Sequence, residues 1–312
     1  MALDGSPASR VSGGPRPEAP SAAATPATAA TIDAINPGGE RASGENFPVA
    51  LRLLPTSRRG YLMAVYGFAR TTDDIGDRAP PEQRIRLLDE LEDDLRRLYA
   101  DREAGTAGAQ TQVVRALGPA VAGCGIPMQP FLDLIQANRQ DQVVSRYQSF
   151  EELRGYCRLS ANPVGRIVLH VFGCFSERRA ELSDSVCTAL QLAEHWQDVA
   201  EDFRAGRIYL PAQDMKEYGC TEEDLSLATA PPQLRTLVAF ETDRAAVMLN
   251  AGAPLIGTLR GAARLAVAGY VAGGRAALAA IAGAGHDVLR GAPKPRKQRL
   301  AAELLLAYAR GR

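Results

Sequence analysis

Two runs of carboxylates in this chain have the spacing of a cation site. The first lies in Tyr66-Gly-Phe-Ala-Arg70-Thr-Thr-Asp73-Asp74-Ile-Gly-Asp77. On a helix, Tyr66, Arg70, Asp73 and Asp77 fall on one stripe, because positions three, four and seven apart share a face. The second is Gln191-Leu-Ala-Glu194-His-Trp-Gln-Asp198-Val-Ala-Glu201-Asp202, with Arg207 and Tyr209 just beyond. Here Glu194, Asp198 and Asp202 recur every four residues. Like charges at that spacing repel unless a cation lies between them. Carboxylate oxygens are hard ligands that suit Mg²⁺, an ion that keeps several waters and is often shared with substrate phosphate. An arginine beside each run adds bidentate donors for phosphate oxygens, so the two runs have what a diphosphate–magnesium site needs, although by spacing alone two solvated helix faces account for them equally well. Asp89 and Asp93 have the same spacing, but leucines frame them and Arg86, Arg96 and Arg97 stand at pairing distance. That pair reads as a solvated face.

The elements that must carry these residues read as helices. Ile85, Leu88, Leu91, Leu95 and Leu98 recur at spacings of three and four after Pro80-Pro81, an amphipathic pattern with a helix-start signal. Segments 109–122, 127–142, 149–173, 178–204, 232–258, 263–283 and 296–310 read the same way. The best strand candidate, Arg207-Ile208-Tyr209-Leu210, is stopped by Pro211. No strand–glycine-rich turn–helix unit is present, which removes a dinucleotide-binding domain. The prediction is an all-α single domain over residues 45–310. Residues 1–44 differ from it: 31 of the 44 are Ala, Gly, Pro, Ser or Thr and none is aromatic. That composition predicts a disordered tail.

Composition narrows the function classes. The 312 residues include 36 basic and 36 acidic side chains, and zero net charge argues against a nucleic-acid binder, which needs a basic field. Only Lys216, Lys294 and Lys297 are lysines. Five cysteines without CxxC spacing, beside three histidines, make a structural zinc site improbable and point to reduced thiols. The first residues lack a basic segment followed by an apolar one, so no secretory signal is expected. A cytoplasmic, soluble chain is the expectation.

At this level of detail the two runs resemble the aspartate-rich motifs of the squalene/phytoene synthase family. The resemblance rests on Asp73-Asp-Ile-Gly-Asp77 and on the long motif from Gln191 through Asp198, Asp202, Gly206, Arg207, Tyr209 and Pro211. It extends from about Glu45 to the C-terminal helices. It implies an isoprenoid synthase fold in which the motifs face each other across a central cavity, with three Mg²⁺ ions holding a prenyl diphosphate. Carried over by position, Asp73, Asp77, Glu194, Asp198 and Asp202 are expected as metal ligands, and Arg70 and Arg207 as diphosphate contacts. Tyr66, Gln191 and Tyr209 are expected at the reacting end. Phe47, Asn162, Val164 and Gly165 match segments that wall the prenyl channel.

Three stretches resemble the bacterial hopanoid-pathway branch of that family: Glu45-Asn46-Phe47-Pro48-Val49, Asn162-Pro163-Val164-Gly165-Arg166 and His195-Trp196-Gln197-Asp198. This implies conversion of presqualene diphosphate to hydroxysqualene with release of diphosphate, without NADPH. Formation of presqualene diphosphate, squalene or phytoene from farnesyl or geranylgeranyl diphosphate is the alternative, and an inactive helical scaffold the remote one. Two positions depart from the pattern: Glu194 stands where Asn is usual, and Asn162 replaces an Asp common in the branch. Arg290, Lys294, Arg296, Lys297 and Arg299 precede the apolar run Leu300–Tyr308. This reads first as a solvated helix entry and second as loose contact with anionic lipid. Peripheral contact with a membrane and with neighbouring pathway enzymes is the corresponding expectation for partners.

Overall fold

The computed structural model describes residues 26–35, 56–104 and 108–312. Among these the regular elements are helices: α1 (Pro26–Ile35), α2 (Thr56–Arg78), α3 (Pro81–Ala104), α4 (Gln112–Cys124), α5 (Gln129–Gln140), α6 (Phe150–Ser160) and α7 (Asn162–Val171). There follow α8 (Glu177–Gln197), α9 (Val199–Arg204), α10 (Ala212–Glu217), a 3₁₀ turn at Glu223–Ser226, α11 (Pro232–Gly252), α12 (Leu255–Thr258), α13 (Gly261–Gly283) and α14 (Lys297–Arg310). The helices start where local chemistry says they should. Thr111, Ser149 and Ser176 each accept a hydrogen bond from a first-turn backbone amide of α4, α6 and α8 respectively, satisfying donors that helix ends leave unpaired.

The long helix α8 runs through the middle and packs against α7, α11 and α13. A glycine stands at each contact. A Cβ on Gly165 of α7 would lie 2.3 Å from Ser183 Oγ, one on Gly252 of α11 would lie 2.6 Å from the Leu182 carbonyl oxygen, and one on Gly274 of α13 would lie 2.7 Å from Leu190 Cδ2. At Gly252 the two backbones themselves approach closer than a side chain would permit, while Gly165 and Gly274 leave room for the side chains of Ser183 and Leu190. On the other side, Leu87, Leu88, Leu91 and Leu95 of α3 are fully buried with Phe68, Ile75 and Phe131, and the Phe68 and Phe131 rings meet edge to face at 5.2 Å.

Three expected helices are divided. The 149–173 segment breaks at Ala161, since Pro163 has no N–H to continue the ladder. The 232–258 segment breaks before Pro254 in the same way. The 178–204 segment bends at Asp198, which has φ −103° and ψ 14°, with no proline or glycine to announce it. Strand character at 207–210 reduces to one parallel bridge between Arg146 and Ile208. The expectation of disorder over 1–44 is corrected for α1: Ile32 is 1% exposed, and α1 packs on α2 and α3. The Asp33 carboxylate also accepts the Gln112 amide at 2.9 Å. Ala29 and Ile32, one turn apart, supply an anchor that the average composition hides. Phe47 lies outside the described residues.

One described helix, α13, is long and apolar enough to cross a membrane. In this fold it is packed between α8, α11 and α14, and none of its residues from Ala262 to Ile281 is exposed. A second buried feature is ionic. Glu241, which has no exposed surface, faces Arg244 at 3.2 Å, and Arg244 also donates to Asp214 at 2.9 Å while stacked between Phe150 and Phe240.

Two measurements test this packing. Gly252→Ala presses against backbone that cannot rotate away, and should cost roughly 1–3 kcal/mol, seen as a lower thermal midpoint. Gly273→Ala, with nothing within 4 Å of its Cβ, should leave the midpoint unchanged or raise it. Burial, with Asp214 alongside, pushes the Glu241 carboxyl from its ordinary 4.5 up to about 8. The folded state then holds a proton that the unfolded state has lost, so stability present below about pH 4.5 falls as pH rises through about 8. Chemical denaturation from pH 5 to 8.5 should show this decline, and Glu241→Gln should flatten it.

Candidate active site

Helix α2 places Asp73 and Asp77 one turn apart at the edge of the bundle, and a close approach from α5 fixes the first of them. Asn138 Nδ2 donates to Asp73 Oδ1 at 3.0 Å and to the Leu134 carbonyl at 3.2 Å. This is possible because residue 76 is glycine: a Cβ there would lie 2.4 Å from Asn138 Oδ1. Asp73 keeps exposed surface, although protein atoms pack closely around its carboxylate. Burial, with the charges of Asp77 and Asp74 working against the Asn138 hydrogen bond, pushes it up to about 6. The intervening Asp74 points the other way and pairs with Arg70 at 3.2 Å and Arg78 at 3.3 Å.

The second run approaches from α8 and α9. At the Asp198 bend the register survives: its amide donates to the Glu194 carbonyl at 3.0 Å, and its own carbonyl accepts from both Glu201 and Asp202 at 2.8 Å. After α9 the chain reverses at Gly206, whose φ of +84° favours glycine. The Arg207 amide then closes on the Asp202 carbonyl at 2.8 Å. Arg146 locks the turn by donating to the Gly206 carbonyl at 2.7 Å while pairing with Glu222 at 2.9 Å.

Arg207 joins the two runs. It donates to Asp77 Oδ1 at 3.0 Å and acts electrostatically on Asp141, Asp202 and His195. Burial, with Asp198, Glu201 and Glu194 nearby, pushes Asp202 up to about 7. Asp198 is also raised, by burial and by Glu201. One guanidinium thus faces more carboxylate than it can neutralise.

Beside the acids lies an aromatic wall. Ile208 pairs with Ser145 and Ala212 with Tyr147 through backbone hydrogen bonds of 2.9 Å, which lays segment 145–148 along 207–213. The Tyr147 and Tyr209 rings stack at 5.9 Å, Tyr156 lies 5.9 Å from Tyr209, and His195 covers Tyr209 at 3.7 Å. Burial, helped by Arg207, drives His195 down to about 3, so its ring is uncharged at neutral pH. Gln191 reaches His195 at 3.4 Å. A narrow pocket between His195, Asp202, Arg207, Tyr209 and Leu225 opens here.

Of the expected residues, Asp73, Asp77, Asp198, Asp202, Arg207, Tyr209 and Gln191 thus gather in one region. Glu194 is exposed and acts on Asp202. Tyr66 is half-buried on α2, and Arg70 is engaged by Asp74. Asn162 and Gly165 serve the α7–α8 contact: Asn162 Oδ1 accepts from Thr188 at 2.9 Å, and Gly165 meets Ser183 and Cys187. Val164 is half-buried beside them. Residues not foreseen are Asn138, Tyr147, Tyr156 and Asp141. Asp141 is pushed up to about 6 by burial, against the lowering effect of the Tyr156 hydroxyl that donates to it at 2.8 Å. Its other oxygen is buried without a hydrogen-bond partner.

This donor set fits Mg²⁺. All the candidate ligands are carboxylate oxygens under mutual repulsion, and a leftover buried acceptor sits on Asp141. Among the described residues no three His, Cys, Asp or Glu side chains already converge into a cage. Mg²⁺ does not need one, since it is held by one or two carboxylates together with waters and phosphate.

Residues 40–300 match the squalene/phytoene synthase family. The chain belongs to that family. Its similarity to hydroxysqualene synthase of Rhodopseudomonas palustris is 35% identity over 71% of this chain and 74% of that protein. Phytoene synthase of Mycobacterium tuberculosis is 31% identical over 69% of this chain and 70% of its own length. Among solved structures, squalene synthase HpnC from Alicyclobacillus acidocaldarius superimposes with a TM-score of 0.73 at 39% identity, covering 83% of this chain and 95% of that one. A dehydrosqualene synthase shares the fold, with a TM-score of 0.74 at 23% identity over 91% of this chain and 96% of that one.

The Asp73 contact can be tested without removing a ligand. Gly76→Ala should displace Asn138 and lower turnover of a prenyl diphosphate by one to two orders of magnitude, roughly the cost of an ångström-scale misplacement. Helical content by circular dichroism should stay unchanged.

Proposed function

We propose that this chain converts presqualene diphosphate and water to hydroxysqualene and diphosphate in a Mg²⁺-dependent reaction. The observation that carries the reading is the convergence of the two carboxylate runs on Arg207 beside a tyrosine-rich wall. Asp73, Asp77, Asp198 and Asp202, with Glu194 at the rim, would hold the magnesium ions, which when bound offset charge on the departing diphosphate. Arg207, already held between Asp77 and Asp202, is placed to donate to the same oxygens, and Arg70, paired with Asp74, contributes its positive charge beside Asp73. Donors fixed before the substrate arrives need no reorganisation as charge develops.

The far side of the pocket is suited to what diphosphate departure leaves behind. Tyr147, Tyr156 and Tyr209 present π-faces toward a carbocation. Burial raises all three hydroxyls, so they remain protonated, and the uncharged His195 adds no repulsion. Packing by Leu210, Leu225 and Val199 limits the entry of water, which favours addition of a single molecule over uncontrolled hydrolysis. The substrate assignment within the family is supported by the hydroxysqualene synthase relative and by the resemblance of the segments around Asn162 and His195. The phytoene synthase relative supports a second reading, a head-to-head condensation of prenyl diphosphates.

A product assay separates the two. With Mg²⁺ and no nicotinamide, presqualene diphosphate offered alone should yield hydroxysqualene, and farnesyl or geranylgeranyl diphosphate offered alone should yield no condensation product. Condensation from either would assign the second reading instead. Asp202→Asn should reduce turnover by about 10²-fold or more, and chelation of Mg²⁺ should abolish it.

A further inference from the structure

We propose that the outward face of α14, with the basic segment leading into it, docks this protein on a bilayer surface carrying anionic lipid. The helix has two apolar faces where a surface helix ordinarily has one. Its inner face, Leu300, Leu304 and Ala307, packs toward α13. Arg264 of α13 clamps the end of α14, with its guanidinium 4.8 Å from the Tyr308 ring. The outer face is Gln298, Ala302, Leu305, Leu306 and Ala309, all exposed, with Leu305 at 72% and Leu306 at 44%. No acidic residue interrupts that outer face.

Charge selects the partner. Residues 290–312 contain seven arginines and lysines and one acid, Glu303. The rest of the chain then holds 29 basic against 35 acidic side chains, so a neutral protein carries a local excess of six positive charges here. Lys294, Arg296 and Lys297 are exposed and have no ion pair among the described residues. Arg310 and Arg312 lie at the other end of the helix. An apolar strip bracketed by cations matches a lipid interface, where acyl chains lie beneath anionic headgroups. A basic strip alone would serve any polyanion, and a leucine strip alone any apolar partner. Their combination on one helix supplies the two signals that stable surface anchoring needs.

The segment is held in place before any docking. Gln197, next to Asp198, donates its side-chain amide to the Pro293 carbonyl, and Gly311, with φ +70°, caps α14. The helix is therefore presented as a preformed surface on the folded enzyme.

Co-sedimentation of the full-length protein tests this, with vesicles of pure phosphatidylcholine and of phosphatidylcholine containing roughly one-third phosphatidylglycerol. Binding is expected only to the anionic vesicles, and salt at about 0.5 M should weaken it because screening shortens electrostatic reach. Lys294→Gln, Arg296→Gln and Lys297→Gln should each weaken partitioning about fivefold. The pair Leu305→Gln and Leu306→Gln should weaken it at least tenfold, with the thermal midpoint unchanged. No binding to anionic vesicles, equal binding to neutral ones, or binding indifferent to both sets of substitutions would overturn the proposal. So would a dimer in sedimentation velocity that the leucine substitutions dissociate, which would assign this face to a second copy of the chain.

Discussion

The structure is organised around a repulsion. Asp77, Asp141 and Asp202 face one arginine with Asp73 and Asp198 beside them, and the strain appears at Asp73, Asp141, Asp198 and Asp202 as carboxyls raised by burial and by neighbouring acids. Left to themselves such groups would separate into water. They are kept together because each is anchored to an element with other reasons to be where it is. Asp73 sits on α2, whose Phe68 and Ile75 are fully buried. Asp198 and Asp202 follow α8, whose other faces are locked by glycine contacts with α7, α11 and α13. Core packing supplies the free energy that holds the charge cluster in a high-energy arrangement. The cluster is in turn prepared for a cation and an anionic substrate, because binding them relieves repulsion already present.

The aromatic wall follows from the same construction. Tyr209 is placed by the Gly206 reversal that also sets Arg207, and Tyr147 by the backbone pairing of 145–148 with 207–213. Tyr156 is tied to Asp141, so the anionic and aromatic halves share a hydrogen bond. A region that must receive an anion and tolerate a cation needs opposite surroundings a few ångströms apart. Here one short turn, held by Arg146, supplies both.

How much of this the sequence discloses depends on how local each feature is. Asp73 with Asp77, and Glu194 with Asp198 and Asp202, are legible because helical periodicity alone puts them on one face. Breaks at Ala161 and Ala253 are legible afterwards through Pro163 and Pro254. The bend at Asp198 is not, since no proline or glycine stands near it to mark where the helix turns. Asn138, Asp141, Tyr147 and Tyr156 escape for another reason. They come from α5, α6 and the link between them, and nothing in their spacing relates them to residue 73 or 209. Gly76 is an intermediate case, as a glycine inside a helix between two acids marks a close approach, although it does not say by what. Helix α1 was hidden by averaging: composition over 44 residues conceals Ala29 and Ile32, which two packing contacts suffice to anchor.

Averaging conceals the charge distribution as well. A net charge of zero over 312 residues is the sum of an acid-rich body and a basic C-terminal segment, and a field acts locally, within about a Debye length of 8–10 Å. At that range the site is dominated by its own carboxylates with Arg207 and Arg70, while the outward face of α14 presents leucines flanked by cations, with Glu303 the one acid on that helix. The two regions are nevertheless joined mechanically, since Gln197 holds Pro293 at the helix end from which Asp198 emerges. A neutral total is therefore compatible with two specialised electrostatic surfaces on one chain. The quantity that bears on partners is the charge within a screening length of each surface, and this fold sets it by bringing distant acids together at one place and leaving a run of neighbouring bases exposed at another.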